Sequence, residues 1–179
     1  RPAAKPRRLG AVAAPAAAAA AAVPGHAGAV CGCDGAMPKQ EVRGGTMARR
    51  RPMRGALRWD IGTGSGSVAI EWMRAARYAR AIGIEPRADR RAMAAQNALA
   101  LGAPKLELID GTVPQALENL DAPDAVFIGG GLSRETFDAA FAALRPLGRL
   151  VANAVTLESE AELIALHKIH GGDLVKIQT

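Results

Sequence analysis

The residues with the clearest chemical potential are three glycines and two carboxylates. In W-D-I-G-T-G-S-G-S-V-A-I-E (residues 59–71), Gly62, Gly64 and Gly66 alternate where a short apolar run gives way to a helical pattern. Glycine takes backbone angles closed to other residues and lets a ligand approach the main chain without meeting a Cβ. Such a turn between strand and helix can hold a nucleotide. Asp60 stands two residues before the first of these glycines. Glu85 ends the run R-A-I-G-I-E, about 20 residues beyond the glycines, where a carboxylate accepts hydrogen bonds from both hydroxyls of a ribose. The nicotinamide and flavin spacing, G-x-G-x-x-G, would require glycine at position 67, where this chain has Ser67. A tight turn with no ligand would explain the glycines alone. Glycine turn, helix, strand and terminal carboxylate in that order are much harder to obtain by chance.

These groups need elements to position them, and the apolar pattern supplies a strand and a helix in alternation from Leu57 onward. Residues 57–61 read as a buried strand, followed by a helix that Ser67 caps and that places Val68, Trp72, Ala75 and Ala76 on one face. Residues 80–85 are the next strand, and 87–101 a helix with Asp89 near its start and Gly102 as its stop. A third strand (105–109) leads to Asp110 and Gly111, then a short helix (114–120) and a fourth strand (124–128) that runs into Gly129, Gly130 and Gly131. Ser133 caps a helix with Phe137, Ala140, Phe141 and Leu144 at core spacing, ended by Pro146 and Gly148. Residues 149–155 form a fifth strand whose Asn153 is either a satisfied core amide or a site group. A helix over 158–167 and a sixth strand over 173–178 complete the pattern, with His167 and His170 placed to favour the helix dipole. Right-handed crossovers make this a parallel, doubly wound α/β sheet with its ligand at the carboxyl ends of the strands.

The first 33 residues read differently. They hold the alanine run 16–22 between Pro15 and Pro24, and the reading is an Ala/Pro-rich basic linker or tail without a core of its own, a secretory signal being the competing reading. The chain opens on Arg1 and is read as a fragment or processed product. The domain proper is assigned to residues 34–179, with no segment long and apolar enough to span a membrane. The net charge of +6 is unevenly divided: residues 1–58 carry 11 Lys/Arg against 2 Asp/Glu, and residues 59–179 carry 12 against 15. The part that folds is slightly acidic, and aromatic residues at 3% give no base-stacking platform, so nucleic acid is not the expected partner. Cys31 and Cys33 are the only cysteines, too few for a structural zinc site, and point to a reduced, cytoplasmic protein with no metal.

The form D-x-G-x-G-x-G resembles the S-adenosyl-L-methionine (SAM) turn of Rossmann-like methyltransferases. Four stretches resemble one family more closely: D-G-A-M-P-K-Q-E-V-R (34–43), W-D-I-G-T-G-S-G-S-V-A-I-E-W (59–72), D-A-V-F-I-G-G-G (124–131) and G-R-L-V-A-N-A-V-T-L-E (148–158). They are similar to the decarboxylating methyltransferases of corrin-ring synthesis, the C-terminal domain of precorrin-6Y C5,15-methyltransferases and its stand-alone relatives. The resemblance implies a class I SAM-dependent methyltransferase fold, truncated before its last, antiparallel strand, so that an edge of the sheet is expected to be unpaired. It implies SAM as cofactor, held by Asp60, Gly62, Gly64, Gly66, Glu85, Asp110 and Gly111. It implies a precorrin tetrapyrrole as substrate, methylated on carbon 15 and decarboxylated at its acetate side chain, facing Gly129, Gly130, Gly131 and Asn153. Lys39, Arg43 and Arg134 are the expected clamps for its carboxylates by charge. Relatives of this kind form homo-oligomers. Two other readings stay open: a methyltransferase of another substrate such as RNA, for which the N-terminal arginines would be the footprint, and an inactive fragment that pairs with a partner to complete its sheet.

Overall fold

In a computed structural model of the chain, the described residues are 8–13, for which the strand alone is described, and 52–176. The chain's first strand, β1 (Arg8–Ala13), is followed among the described residues by β2 (Leu57–Ile61), α1 (Ser67–Ala75), β3 (Arg80–Ile84), α2 (Ala88–Ala100) and β4 (Glu107–Ile109). In place of the helix expected over 114–120, a single 3-10 turn (Gln115–Leu117), ended by the extended backbone of Glu118, leads to β5 (Ala125–Ile128), α3 (Arg134–Ala143), β6 (Arg149–Ala154), α4 (Leu157–His170) and β7 (Asp173–Lys176). The seven strands form one sheet in the order β4-β3-β2-β5-β6-β1-β7, and every pairing is parallel.

The pattern L-R-W-D-I suits β2 to an inner place in the sheet, between β3 and β5. Leu57, Trp59 and Ile61 point to one face and join Ile82, Ile84, Val126, Ile128, Leu150 and Ala152 in the largest apolar cluster. Phe137 and Ala140 of α3 and Leu163 and Leu166 of α4 cover that face. On the opposite face Trp72 of α1 packs with Ala69, Ala81 and Ala125, and its indole Nε1 donates to the Ala56 carbonyl at 3.5 Å. Ile70 meets Ala98 of α2 there as well. Parallel strands with helices on both faces are buried on both, and all five residues of β2 are buried, Arg58 and Asp60 among them.

Several boundaries differ from those expected, for local reasons. Ser67 is the first helical residue of α1 and not its cap; Gly66, at φ +78°, occupies the cap position with no side-chain bond. Ser133 does cap α3, its hydroxyl accepting from the Thr136 amide at 3.1 Å. Helix α4 begins earlier and ends later than expected. Thr156 and Ser159 form a reciprocal capping box at its start, and at its end His170 packs against Phe137 and Phe141, with ring centroids 4.9 and 5.1 Å away.

The largest difference concerns the expected tail. Residues 8–13, assigned to a linker outside the domain, form β1, which pairs with β6 from Arg8 against Arg149 to Ala13 against Ala154. It pairs with β7 on its other side, from Gly10 against Asp173 to Ala13 against Lys176. The sheet therefore has no open place between β6 and β7: an N-terminal segment fills it in the parallel sense. Both β6 and β7 thus have β1 as a partner, and the edge left unpaired on this side of the sheet, among the described residues, is the outer side of β7.

Candidate functional site

The turn from β2 into α1 is fixed by main-chain bonds to its neighbour. The amides of Gly62 and Thr63 both donate to the Ile84 carbonyl, at 2.9 and 3.2 Å, and Gly66 closes the turn onto Thr63. Gly62, Gly64 and Gly66 all have positive φ, but their surroundings differ. A Cβ on Gly62 would lie 2.7 Å from the Gly130 nitrogen, so the glycine turn and the triple glycine touch through bare backbone. A Cβ on Gly66 would meet Ala94 at 3.1 Å, a helix-packing constraint. A Cβ on Gly64 would meet nothing within 4 Å, which leaves that side of its main chain open to a ligand.

Glu85 stands at the end of β3, 3% exposed, and faces this turn. One carboxylate oxygen accepts from the Gly64 amide at 3.1 Å and the other from the Arg87 amide at 3.2 Å. It thereby ties the open part of the turn to the start of α2, and each oxygen retains a further lone pair for a ligand hydroxyl. Asp60 is buried behind the turn, where its Oδ2 accepts from the Thr63 hydroxyl at 3.1 Å and its Oδ1 lies 3.5 Å from an Arg58 terminal nitrogen. Arg58 is fully buried, and desolvation lowers its pKa to about 10, against the opposing attraction of Asp60 and Glu71. It remains a cation at neutral pH.

These features border a cleft of about 660 Å³ at the carboxyl ends of the strands. Gly62, Thr63 and Gly64 form one wall with Ser67 and Val68 of α1; Glu85, Arg87 and Arg90 form the next; Gly111, Thr112 and Val113 form a third. Phe127, Gly129, Gly130 and Gly131 continue the lining toward Ser133, Thr136 and Val155. No side chain caps α1, so amides of its first turn beside the cleft favour negative charge.

The structure gathers some of the expected residues and separates others. Gly62, Gly64, Glu85, Gly111 and the three glycines 129–131 line one cleft. Asp60 and Gly66 stand behind it in supporting positions. Asp110 lies outside the lining, its carboxylate gripped by both terminal nitrogens of Arg91 at 2.8 Å. Arg134 is also outside, paired with Glu162 of α4 at 3.0 Å. Asn153 is 8% exposed, and its Oδ1 has no hydrogen-bond partner among the described residues. It lies on the face of β6 that carries Val151, packed with Phe127 and Val68, and two residues before Val155 of the cleft wall. Lys39 and Arg43 lie outside the described residues. Thr63, Arg87 and Arg90 were not legible as site residues, being an unremarkable hydroxyl and surface charges in the pattern. Arg58 did leave a signal: opposite charges two apart in an otherwise apolar strand share one face.

Residues 30–179 match the family model for a precorrin methyltransferase domain. A curated relative from Sinorhizobium sp., a precorrin-6Y C(5,15)-methyltransferase [decarboxylating], is 48% identical over 145 residues, covering 80% of this chain and 35% of the relative. The chain spans about a third of the length of such curated relatives. The crystal structure of the C-terminal domain of precorrin-6Y C5,15-methyltransferase from Rhodobacter capsulatus superposes with a TM-score of 0.78 and 48% identity, over 85% of this chain and 82% of that one. A precorrin-6Y C5,15-methyltransferase from Geobacter metallireducens gives a TM-score of 0.72 at 33% identity, over 78% and 74% of the two chains. Among the described residues, no helix is long and apolar enough to cross a membrane.

Proposed function

The chain belongs to the precorrin methyltransferase domain family, and we propose that it is a SAM-dependent, decarboxylating C-methyltransferase acting on a precorrin in cobalamin biosynthesis, in the cytoplasm. The observation that carries the cofactor assignment is the pairing of Gly64 and Glu85. A main chain with open space above it is bonded to a buried carboxylate that retains lone pairs for two ribose hydroxyls. The residues fit SAM on chemical grounds: unobstructed backbone at the turn, an acceptor for the sugar, and uncapped amides of α1 for a carboxylate. When bound, SAM supplies an electrophilic methyl group on a cationic sulfur.

The protein's own contribution is positioning. A nucleophilic ring carbon needs no activating side chain if it is held in line with the methyl group, so placement carries most of the rate. Gly129, Gly130 and Gly131 follow β5 with no Cβ, and a side chain added at Gly130 or Gly131 would meet nothing within 4 Å. The gap suits a flat, bulky acceptor. Asn153, whose Oδ1 has no partner among the described residues but which is not one of the residues lining the cleft, is assigned as an acceptor for a ring N–H. Arg87, whose guanidinium is paired with Asp89 at 2.6 Å, and Arg90 line the cleft beside Glu85, and Lys39 and Arg43 are assigned as contacts for the substrate carboxylates. Loss of carbon dioxide is favoured when the departing carboxylate is held in a poorly hydrated site and the ring accepts its electrons.

The cofactor assignment is tested by calorimetric titration with S-adenosylhomocysteine, the product that keeps every contact except the methyl group. Binding to the chain, and affinity at least about tenfold weaker in Glu85→Ala, is the expected result, since hydrogen bonds to a charged group contribute about 1.5–3 kcal/mol. A folded chain with no affinity for the product would overturn the assignment.

A further inference from the structure

Beneath the glycine turn lies a buried cation that the proposed chemistry does not use. One terminal nitrogen of Arg58 donates to the Val68 carbonyl in the first turn of α1 at 3.0 Å. The other stands 3.5 Å from Asp60 at the end of β2. Asp60 in turn accepts from the Thr63 hydroxyl. The guanidinium is enclosed by aromatic rings, 5.7 Å from the Trp72 centroid and 5.2 Å from that of Phe127. One side chain thus reaches both ends of the segment that contains Gly62, Gly64 and Gly66.

This arrangement is a poor device for stability alone. An ion pair taken out of water regains little net energy, and apolar residues of similar volume often do as well. Nε and one terminal nitrogen of Arg58, with Asp60 Oδ1, lack hydrogen-bond partners among the described residues, which adds to the cost. The costly group is explained if it fixes a geometry. We propose that Arg58 is a positioning residue for the cofactor turn: it holds Asp60, and through it Thr63, against the start of α1, so that the main chain at Gly62 and Gly64 is set before a ligand arrives. The proposal rests on the reading of the cleft as a SAM site. Pre-setting the turn removes an ordering cost that binding would otherwise meet.

The test is calorimetric titration with S-adenosylhomocysteine of the unaltered chain, Arg58→Met, Arg58→Lys, Thr63→Val and the Arg58→Met/Thr63→Val double variant, each well below its own Tm. Arg58→Met should weaken binding by about tenfold, and the double variant should bind no more weakly than Arg58→Met, because both changes cut one relay. Arg58→Lys, which keeps the charge beside Asp60, should recover part of the affinity. Independent losses that multiply in the double variant would mark Arg58 as structural only and overturn the proposal. So would Arg58→Met binding within about twofold of the unaltered chain. If Arg58→Met does not fold, unaltered affinity in both Arg58→Lys and Thr63→Val overturns it instead. An unaltered chain that binds no product removes the cofactor reading, and this inference with it. Binding that is insensitive to Arg58 removes this inference alone.

Discussion

At the scale of single residues, the site is organised by carbonyl and carboxylate oxygens whose partners are already counted. Glu85 has both oxygens committed to amides, so its position is fixed before any ligand enters. Asn153 is the opposite case, a buried acceptor with no partner among the described residues. Leaving such a group unsatisfied costs about 1–3 kcal/mol, and a shape-matched apolar replacement relieves that cost. Asn153→Leu should therefore keep or raise the Tm and leave the affinity for S-adenosylhomocysteine unchanged. Turnover of the precorrin should fall by about tenfold or more, the worth of one hydrogen bond to a ring N–H in a dry site. A lowered Tm with unchanged turnover would return Asn153 to the core. That the glycines and Glu85 would meet at one turn was legible, because their pattern is local and carried by spacing along the chain. The ion pairs that hold Asp110 and Arg134 were not legible, since their partners Arg91 and Glu162 are 19 and 28 residues away. No pattern along the chain shows that the charge is already taken.

At the scale of elements, the expected order of strands and helices from Leu57 onward is the observed one, because alternating buried runs leave little freedom once helices must cover both faces. The exception is the helix expected over 114–120, which is only a 3-10 turn. Boundaries were less legible, and α4 shows why. Its start is set by side chains that bond the backbone at Thr156 and Ser159, and its end by ring contacts from α3, which arise only in three dimensions. Glu158 in its first turn is held below the ordinary glutamate value of 4.5 by a bond from its own amide and one from Thr156. A carboxyl with a depressed folded pKa contributes stability that is present above its unfolded value and lost as pH falls through the folded one. Glu158→Gln should accordingly have a lower Tm than the unaltered chain at pH 7, and the difference should shrink as the pH is taken below 4.5. Thermal melts at the two ends of that range check it; a deficit that persists undiminished in acid would mean that the carboxylate charge is not what the helix end uses.

At the scale of the whole molecule, the sheet is completed in a way that composition concealed. Residues 8–13, R-L-G-A-V-A, sit among alanines and prolines and carry too few large apolar side chains to read as a strand, so the reading as a tail followed from their composition. Pairing supplies what composition lacks: a strand flanked on both sides has its amides and carbonyls satisfied by β6 and β7, whatever its side chains are. If β1 holds β6 and β7 together in this way, the main chain rather than any side chain is its contribution. The Ala11→Pro exchange is then the discriminating one, because it removes an amide and little else at a position paired with Ala152 on one side and Leu174 on the other. Loss of a ladder bond in a strand without a free edge leaves a buried carbonyl unpaired, at about 1–3 kcal/mol, which corresponds to a fall in Tm of roughly 2–10 °C for a chain of this size. A linker outside the sheet would tolerate the same exchange with no change in Tm. The melt therefore decides between strand and tail, and an affected Tm accompanied by unchanged S-adenosylhomocysteine binding would further show that the β6–β1–β7 side of the sheet and the glycine turn in front of β2 are energetically separate.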